Sequence, residues 1–338
     1  MNTESLDNRP ATLFVLSVDT EEDWDWSGPF PQPPFSVNNG SRIPKFQHFC
    51  NNLGIKPTYF VDYAIADDTQ CATHLKSFMD DGVCEIGSHL HAWCTPPIQE
   101  DVTNTENSHA INLPDDLVKQ KLRILNEKFK SAFGTKPKSF RSGRWGINEY
   151  LIKLLSEEGY TTDSSVHPYY ADSTFSYHDA PDTPYWPDFN NFKKPGSQRQ
   201  IFEIPVTAGY SRHNFGFWNK LHLKLSSTPF RYFHPIGILW KLGLMRKIQL
   251  SPELADIDNM ISLIKAALKE DHKVIHMYFH SSSLLPGKTP YVRNSSDEGI
   301  FYDRIQQVFE YLKENTVVTC CTVSEAAEIL TKENNSCE

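Results

Sequence analysis

The stretch Leu13-Phe14-Val15-Leu16-Ser17-Val18-Asp19-Thr20-Glu21 decides the fold. Residues 13–18 are a short apolar run that reads as a first strand, and the strand ends on two carboxylates. A doubly wound sheet would normally place a glycine-rich phosphate loop there. Here that place holds Asp19-Thr20-Glu21-Glu22-Asp23, so the open sheet is the weaker alternative.

Working outward, strand-like and helix-like segments alternate. Ile43, Phe46, Cys50 and Leu53 share one helical face, closed by Gly54 at a C-cap position. Strands are expected at 57–61 and 83–88, with a helix over 71–81 between them. A long amphipathic helix follows over 115–133, carrying Leu117, Leu122, Leu125, Phe129 and Phe133 and closed by Gly134. Strands are expected at 138–141, 161–164, 200–207, 273–279 and 317–322. The intervening helices are read at 148–158, at 252–270 with Ser251 as N-cap, and at 298–313, with a closing helix over 324–330. Repeated βα units favour parallel strands with helices outside. Eight candidate strands, no internal repeat and no clear linker predict an α/β fold, a single distorted (β/α) barrel over residues 11–332. Residues 1–10 read as a flexible N-terminus and 333–338 as a tail. The connections after the strands are long, those after the helices short. In a parallel barrel this puts the elaborated face, and the site, at the strand C-termini.

Polar residues end these strands. Asp19 and Glu21 close the first, His89 and His91 the third, Arg141 the fourth, Asp163 the fifth and His280 the seventh. Residues i and i+2 of an extended strand point the same way, so Asp19 pairs with Glu21 and His89 with His91. Carboxylates and imidazoles converging on one mouth suit a borderline divalent metal such as zinc, with a position open for water. Taken alone, each is more often a turn, cap or hydrogen-bonded group; the signal is the coincidence of several strand ends.

The motifs around these residues resemble those of the polysaccharide deacetylase family, the NodB-homology, carbohydrate esterase-like group. Leu16-Ser17-Val18-Asp19-Thr20-Glu21 is similar to its first motif, in the Asp-x-Glu branch. Cys84-Glu85-Ile86-Gly87-Ser88-His89 is similar to the second and Phe140-Arg141-Ser142-Gly143-Arg144 to the third. Tyr160-Thr161-Thr162-Asp163-Ser164-Ser165-Val166 resembles the Asp-Ser-Ser stretch, and Tyr278-Phe279-His280 the last motif. The order is the family's, over most of the chain. The family's second motif usually has another His four positions after the first. That position is Trp93 here, and His91 is the natural substitute. The third motif lacks the usual proline and has Gly143 in that region.

The resemblance implies a set of roles. Asp19 would be the general base, and Glu21 and His89 would hold a divalent ion, zinc by preference, with His91 read as the substitute third ligand. His280 would protonate the leaving amine, Arg141 would orient Asp19, and Asp163 would tune His280. The activity implied is a metal-dependent hydrolase that removes N-acetyl groups from an amino-sugar-containing polysaccharide or glycoconjugate. Two alternatives stay open: the same barrel and metal acting on a non-sugar amide, and a glycan-binding barrel without turnover.

The remaining composition bounds the partners. A formal charge of −9 over 338 residues argues against a nucleic-acid binder. Seven scattered cysteines without a CxxC spacing suit a reduced, cytoplasmic protein. Met1 to Pro10 is polar and has no signal-peptide pattern, and no apolar run approaches the roughly 20 residues that span a bilayer. Nothing in the sequence specifies an oligomeric state. From Ile204 to Pro252 there is no Asp or Glu, whereas Arg212, Lys220, Lys224, Arg231, Lys241, Arg246 and Lys247 are interleaved with aromatics. This basic, aromatic insertion at about 208–250 reads either as a loop folded over the site, or as a patch for an anionic or lipid-linked glycan at a membrane surface. Trp24, Trp26, Trp93, Trp145 and Trp186 all fall in the loops of the site face, where they would stack on sugar rings or plug small loop cores. Leu284-Leu285-Pro286-Gly287, with Tyr291 beyond, reads as a shaped turn walling the pocket.

Overall fold

The structure is a computed structural model and describes residues 9–335 apart from Ser27 and Val102, and of 333–335 the backbone only. Most of the expected flexible N-terminus, and residues 336–338 of the expected tail, lie outside the described residues. The strands are β1 (Ala11–Thr20), β2 (Thr58–Val61), β3 (Glu85–Leu90), β4 (Ser139–Ser142), β5 (Thr162–Asp163), β6 (Pro187–Asp188), β7 (Asn191–Pro195), β8 (Phe202–Glu203), β9 (Ala208–Tyr210), β10 (Lys247–Gln249), β11 (Val274–His280) and β12 (Val317–Cys320). The helices are α1 (Ile43–Leu53), α2 (Tyr63–Asp67), α3 (Thr69–Asp80), α4 (Asp115–Phe133), α5 (Glu149–Glu157), α6 (Phe215–Ser226), α7 (Pro235–Lys241), α8 (Ile257–Lys269), α9 (Ser295–Asn315) and α10 (Val323–Asn335).

All eight strands expected from the sequence enter one parallel sheet, ordered β11-β1-β2-β3-β4-β5-β8, with β12 pairing the first half of β1. The ring is not a regular eight-strand closure. Between its two ends, the chain after β8 closes the gap by single bonds: Thr207 N donates to the His276 carbonyl, and His276 N donates to Thr207 Oγ1. β1 is the central strand, with β2, β11 and β12 beside it, and every residue from Phe14 to Thr20 is buried. Phe14 packs outward onto α9, where its ring meets Phe309 at a centroid distance of 5.5 Å.

The helices form where the apolar spacing and the caps require. α4 buries Leu117, Val118, Leu122, Leu125, Phe129 and Phe133 on one face, starts with Asp115 and Asp116, and ends at Gly134 with φ 79°. Its Lys121 is buried as well, because Nζ donates to the carbonyls of Ala92, Thr95 and Pro97 and to Glu100. One lysine thus pins the loop that follows β3.

Several boundaries differ from the sequence reading. The sixth strand shrinks from 200–207 to Phe202–Glu203, since the chain beyond turns toward β11. The helix expected over 252–270 begins only at Ile257, capped by Asp256 instead of Ser251. Residues 251–255 form a turn, with Leu254 N donating to the Ser251 carbonyl, and this turn carries Glu253 to His280 at the mouth of the barrel. The last helix runs to Asn335, past the expected end at 330. The insertion is a small helical subassembly rooted on the antiparallel β9–β10 pair.

Candidate active site

Asp19 ends β1 beside His280 at the end of β11, in register across the parallel pair. His89 of β3 is in register with Arg141 of β4. These pairings bring Asp19, Glu21, His89, His91 and His280 around one cavity of about 370 Å³, walled by Trp24, Trp26, Phe30, Trp93, Trp145 and Tyr170. A neighbouring groove of about 770 Å³ runs on past Trp24 and Trp26 to Lys288, Pro290 and Tyr291. The turn after His280 thus walls this groove. Trp186 stands apart from both: it packs on Phe202 at 4.8 Å and joins a second core cluster with Ile204 and Val274.

The donors fit a cation. One ligand atom each from Glu21, His89 and His91 lie within 4.8 Å of one another, all buried. His89 Nδ1 is 2.9 Å from the Arg141 carbonyl, which accepts only from an N–H, so the lone pair lies on Nε2. His91 Nδ1 is 3.0 Å from Glu22 Oε2. The Nε2 atoms of His89 and His91 lie 3.6 and 3.2 Å from the Glu21 carboxylate. Both rings thus turn Nε2 toward Glu21 while a second group holds Nδ1, the arrangement that orients metal-binding imidazoles. The Glu21 backbone is fixed too: Asn39 Nδ2 donates to its carbonyl, and its N–H donates to Ser281 Oγ.

Trp93, which stands where the family's second His is expected, serves His91 instead. Its ring stacks on His91 at 4.1 Å, and its indole N–H donates to Glu22. Gly143 explains the absent proline. A Cβ there would sit 2.5 Å from the Leu90 carbonyl oxygen and 2.6 Å from His91 Cδ2, so the chain after β4 approaches His91 only because residue 143 has no side chain.

Burial alone would raise the Glu21 pKa, but His280, His89 and His91 outweigh it and hold this carboxylate below its usual range. Burial likewise disfavours a charged His91, yet Glu22 and Glu21 push its pKa well up. Behind His91, burial and the neighbouring Glu22 raise the Asp62 pKa well above its usual range, while His91 and Asp62 outweigh burial and hold Glu22 below its own.

Asp19 accepts from Arg141 Nη1 at 2.6 Å, and its other oxygen lies 3.8 Å from His280 Nε2. Arg141 is itself held by the Ser164 carbonyl and hydroxyl and lies over Phe60. The carboxylate on His280 Nδ1 is Glu253, at 2.9 Å. Asp163, the residue expected to tune His280, is buried and does not line the cavity. It accepts from Ser165 Oγ, which in turn accepts from Ser142 N, so Asp163 supports the end of β4. Sequence reasoning missed Glu253, Glu22 and Asp62. One signal was available for the first: Glu253 ends the long acid-free stretch.

No family model matches the sequence, and no curated protein is significantly similar to it. Solved structures do resemble it. A protein from Parabacteroides distasonis provisionally named a glycoside hydrolase/deacetylase aligns over 97% of this chain and 73% of its own, at 13% identity and TM-score 0.62. A provisionally named polysaccharide deacetylase from Mycobacterium smegmatis aligns over 98% and 93%, at 14% identity and TM-score 0.53. PuuE allantoinase aligns over 96% and 91%, at 14% identity and TM-score 0.52. At such identities the likeness defines the fold: this chain has the parallel, curled (β/α) barrel of the polysaccharide deacetylases.

Proposed function

We propose that the protein is a metal-dependent deacetylase that releases acetate from an N-acetylated amino sugar. The observation that carries the reading is the pairing of two functions in one cavity: three donors converging on a cation position, and Asp19 beside His280. A divalent ion, zinc by the donor set, would be held by Glu21, His89 and His91 and would act as Lewis acid toward the amide carbonyl.

The chain's own residues supply the rest. Arg141 occupies one oxygen of Asp19 and leaves the other facing the cavity, where it takes a proton from the attacking water. The water oxygen bonds to the carbonyl carbon. The C–N bond then breaks as His280 gives the Nε2 proton to the nitrogen. Burial works against a charged His280, but Glu253, Glu21 and Asp19 push its pKa up to about 10, so it holds that proton at neutral pH. The products are acetate and a free amine. The tryptophan walls and the groove beyond them suit stacking on sugar rings.

The barrel is shared with an allantoinase, which favours one second reading, hydrolysis of a non-sugar amide in the same cavity. Acetate release from a panel of N-acetylated oligosaccharides, run beside cyclic and linear amides, separates the two. The deacetylase reading expects acetate from at least one glycan, abolished in Asp19→Asn with metal still bound. Turnover of a non-sugar amide alone would replace it with the second reading.

A further inference from the structure

The outer face of the insertion between β8 and α8 belongs to neither the cavity nor the barrel core. We propose that it is a docking surface for an anionic lipid membrane, an inference independent of the deacetylase reading. Nine of the twelve exposed large apolar side chains among the described residues lie between Phe217 and Leu244. Tyr232 is 64% exposed, Phe233 74% and Leu242 64%. Neither the 3-10 turn Phe230–Phe233 nor α7 has a single buried residue. Apolar patches of this kind are rare on a surface that nothing covers.

The arrangement is amphipathic. α6 buries Phe215 and Asn219, with Asn219 bonded to His178, and so anchors one face to the barrel. Phe217, Lys220, Leu223 and Lys224, at helical spacing, are exposed. Arg231 and Lys241 are exposed beside the apolar tip, and no Asp or Glu lies between Ile204 and Pro252. Among the described residues no carboxylate forms an ion pair with Lys220, Lys224, Arg231 or Lys241. The rest of the chain is acidic, so this basic stretch interleaved with exposed aromatics runs against the charge of the whole. Basic side chains meet anionic headgroups while aromatic and aliphatic ones enter the acyl boundary.

Length fixes the mode. At about 1.5 Å per residue, α6 is roughly 18 Å long and α7 roughly 10 Å, short of the roughly 30 Å hydrocarbon layer. No helix among the described residues is long and apolar enough to cross a membrane. The insertion therefore lies in the interface plane. Its root reaches the candidate active site: Lys247 donates to the Tyr169 carbonyl, Tyr210 packs on Tyr169 at 5.7 Å, and the next residue, Tyr170, lines the cavity.

The test is co-sedimentation of the full chain with vesicles of phosphatidylcholine alone or mixed with phosphatidylglycerol, at low and high salt. Two variants accompany it: Lys220, Lys224, Arg231 and Lys241 to Glu, and Phe230, Phe233, Trp240 and Leu242 to Ser, each checked for an unchanged circular dichroism melt. Wild type should bind the anionic vesicles at low salt and release at high salt. Each basic residue contributes about fivefold in partition, so the charge variant should lose more than about 100-fold. The apolar variant should lose binding to the same vesicles. Absent binding by wild type, equal binding to neutral vesicles, or binding unchanged in both folded variants would overturn the proposal. So would a concentration-dependent dimer that both variants dissolve, with no vesicle binding, since the face would then belong to a second copy.

Discussion

Glu253→Gln keeps the size of a buried side chain and removes only its charge and one acceptor. In the native site its carboxylate accepts from His280 Nδ1 at 2.9 Å, from His280 N at 3.2 Å and from Ser283 Oγ at 2.5 Å. The rise of His280 from 6.5 to about 10, achieved against burial, is shared by Glu253, Glu21 and Asp19, with Glu253 the largest contributor. Its loss should weaken proton binding at His280 tenfold or more, about 1.4 kcal/mol. The leaving nitrogen needs that proton. With the acid's pKa lowered, the protonated fraction is lost at a lower pH as pH rises, so the alkaline limb of the activity profile should move down by at least about one unit. The ring also loses the anion that fixes its tautomer. We therefore expect kcat to fall about 100-fold near neutrality, with KM and metal content little changed. The assay is acetate release across pH. An alkaline limb that stays in place, or an unchanged kcat, would refute the role given to Glu253.

Two further substitutions test the frame of the site. Gly143→Ala places a Cβ against the Leu90 carbonyl and His91, so β3 and β4 must part; stability should fall by about 1–3 kcal/mol and metal affinity with it, and denaturant unfolding plus metal titration that both match wild type would contradict the packing. Glu203→Gln tests a buried acid pair. Burial, then Asp163, raises the Glu203 pKa well above 4.5, so its contribution is complete below that value and is lost as pH rises through the folded pKa. The variant should flatten the decline of the unfolding midpoint toward alkaline pH, and a parallel decline in both proteins would remove Glu203 as its cause.

Much of the candidate site is legible because strand geometry makes it local. Asp19 with Glu21, and His89 with His91, are pairs two residues apart, and a strand turns such pairs to one side. Most of the eight sheet strands are visible for a related reason, as short apolar stretches bounded by turn residues, whereas 138–141 and 161–164 are largely polar and are placed by the alternation around them. What escapes depends on tertiary turns. The sequence places Glu253 in a helix, but Asp256 caps that helix later, and the freed turn swings Glu253 onto His280. Asp163 reads as a strand-end site residue, yet β5 has only two residues and its carboxyl accepts from Ser165, in register with the neighbouring Glu203 of β8. The role of Glu22 is hidden because alternation turns it away from Asp19 and Glu21. It still reaches the site, from behind, through His91 Nδ1.

Everything proposed for the cavity depends on Glu21, His89 and His91 forming one metal centre. Elemental analysis of the purified, dialysed protein probes this without any assumption about substrate, in wild type and in the His89→Ala, His91→Ala double variant. Wild type should carry about one zinc per chain and the folded double variant essentially none. Metal content that survives unchanged in the double variant would contradict the assignment.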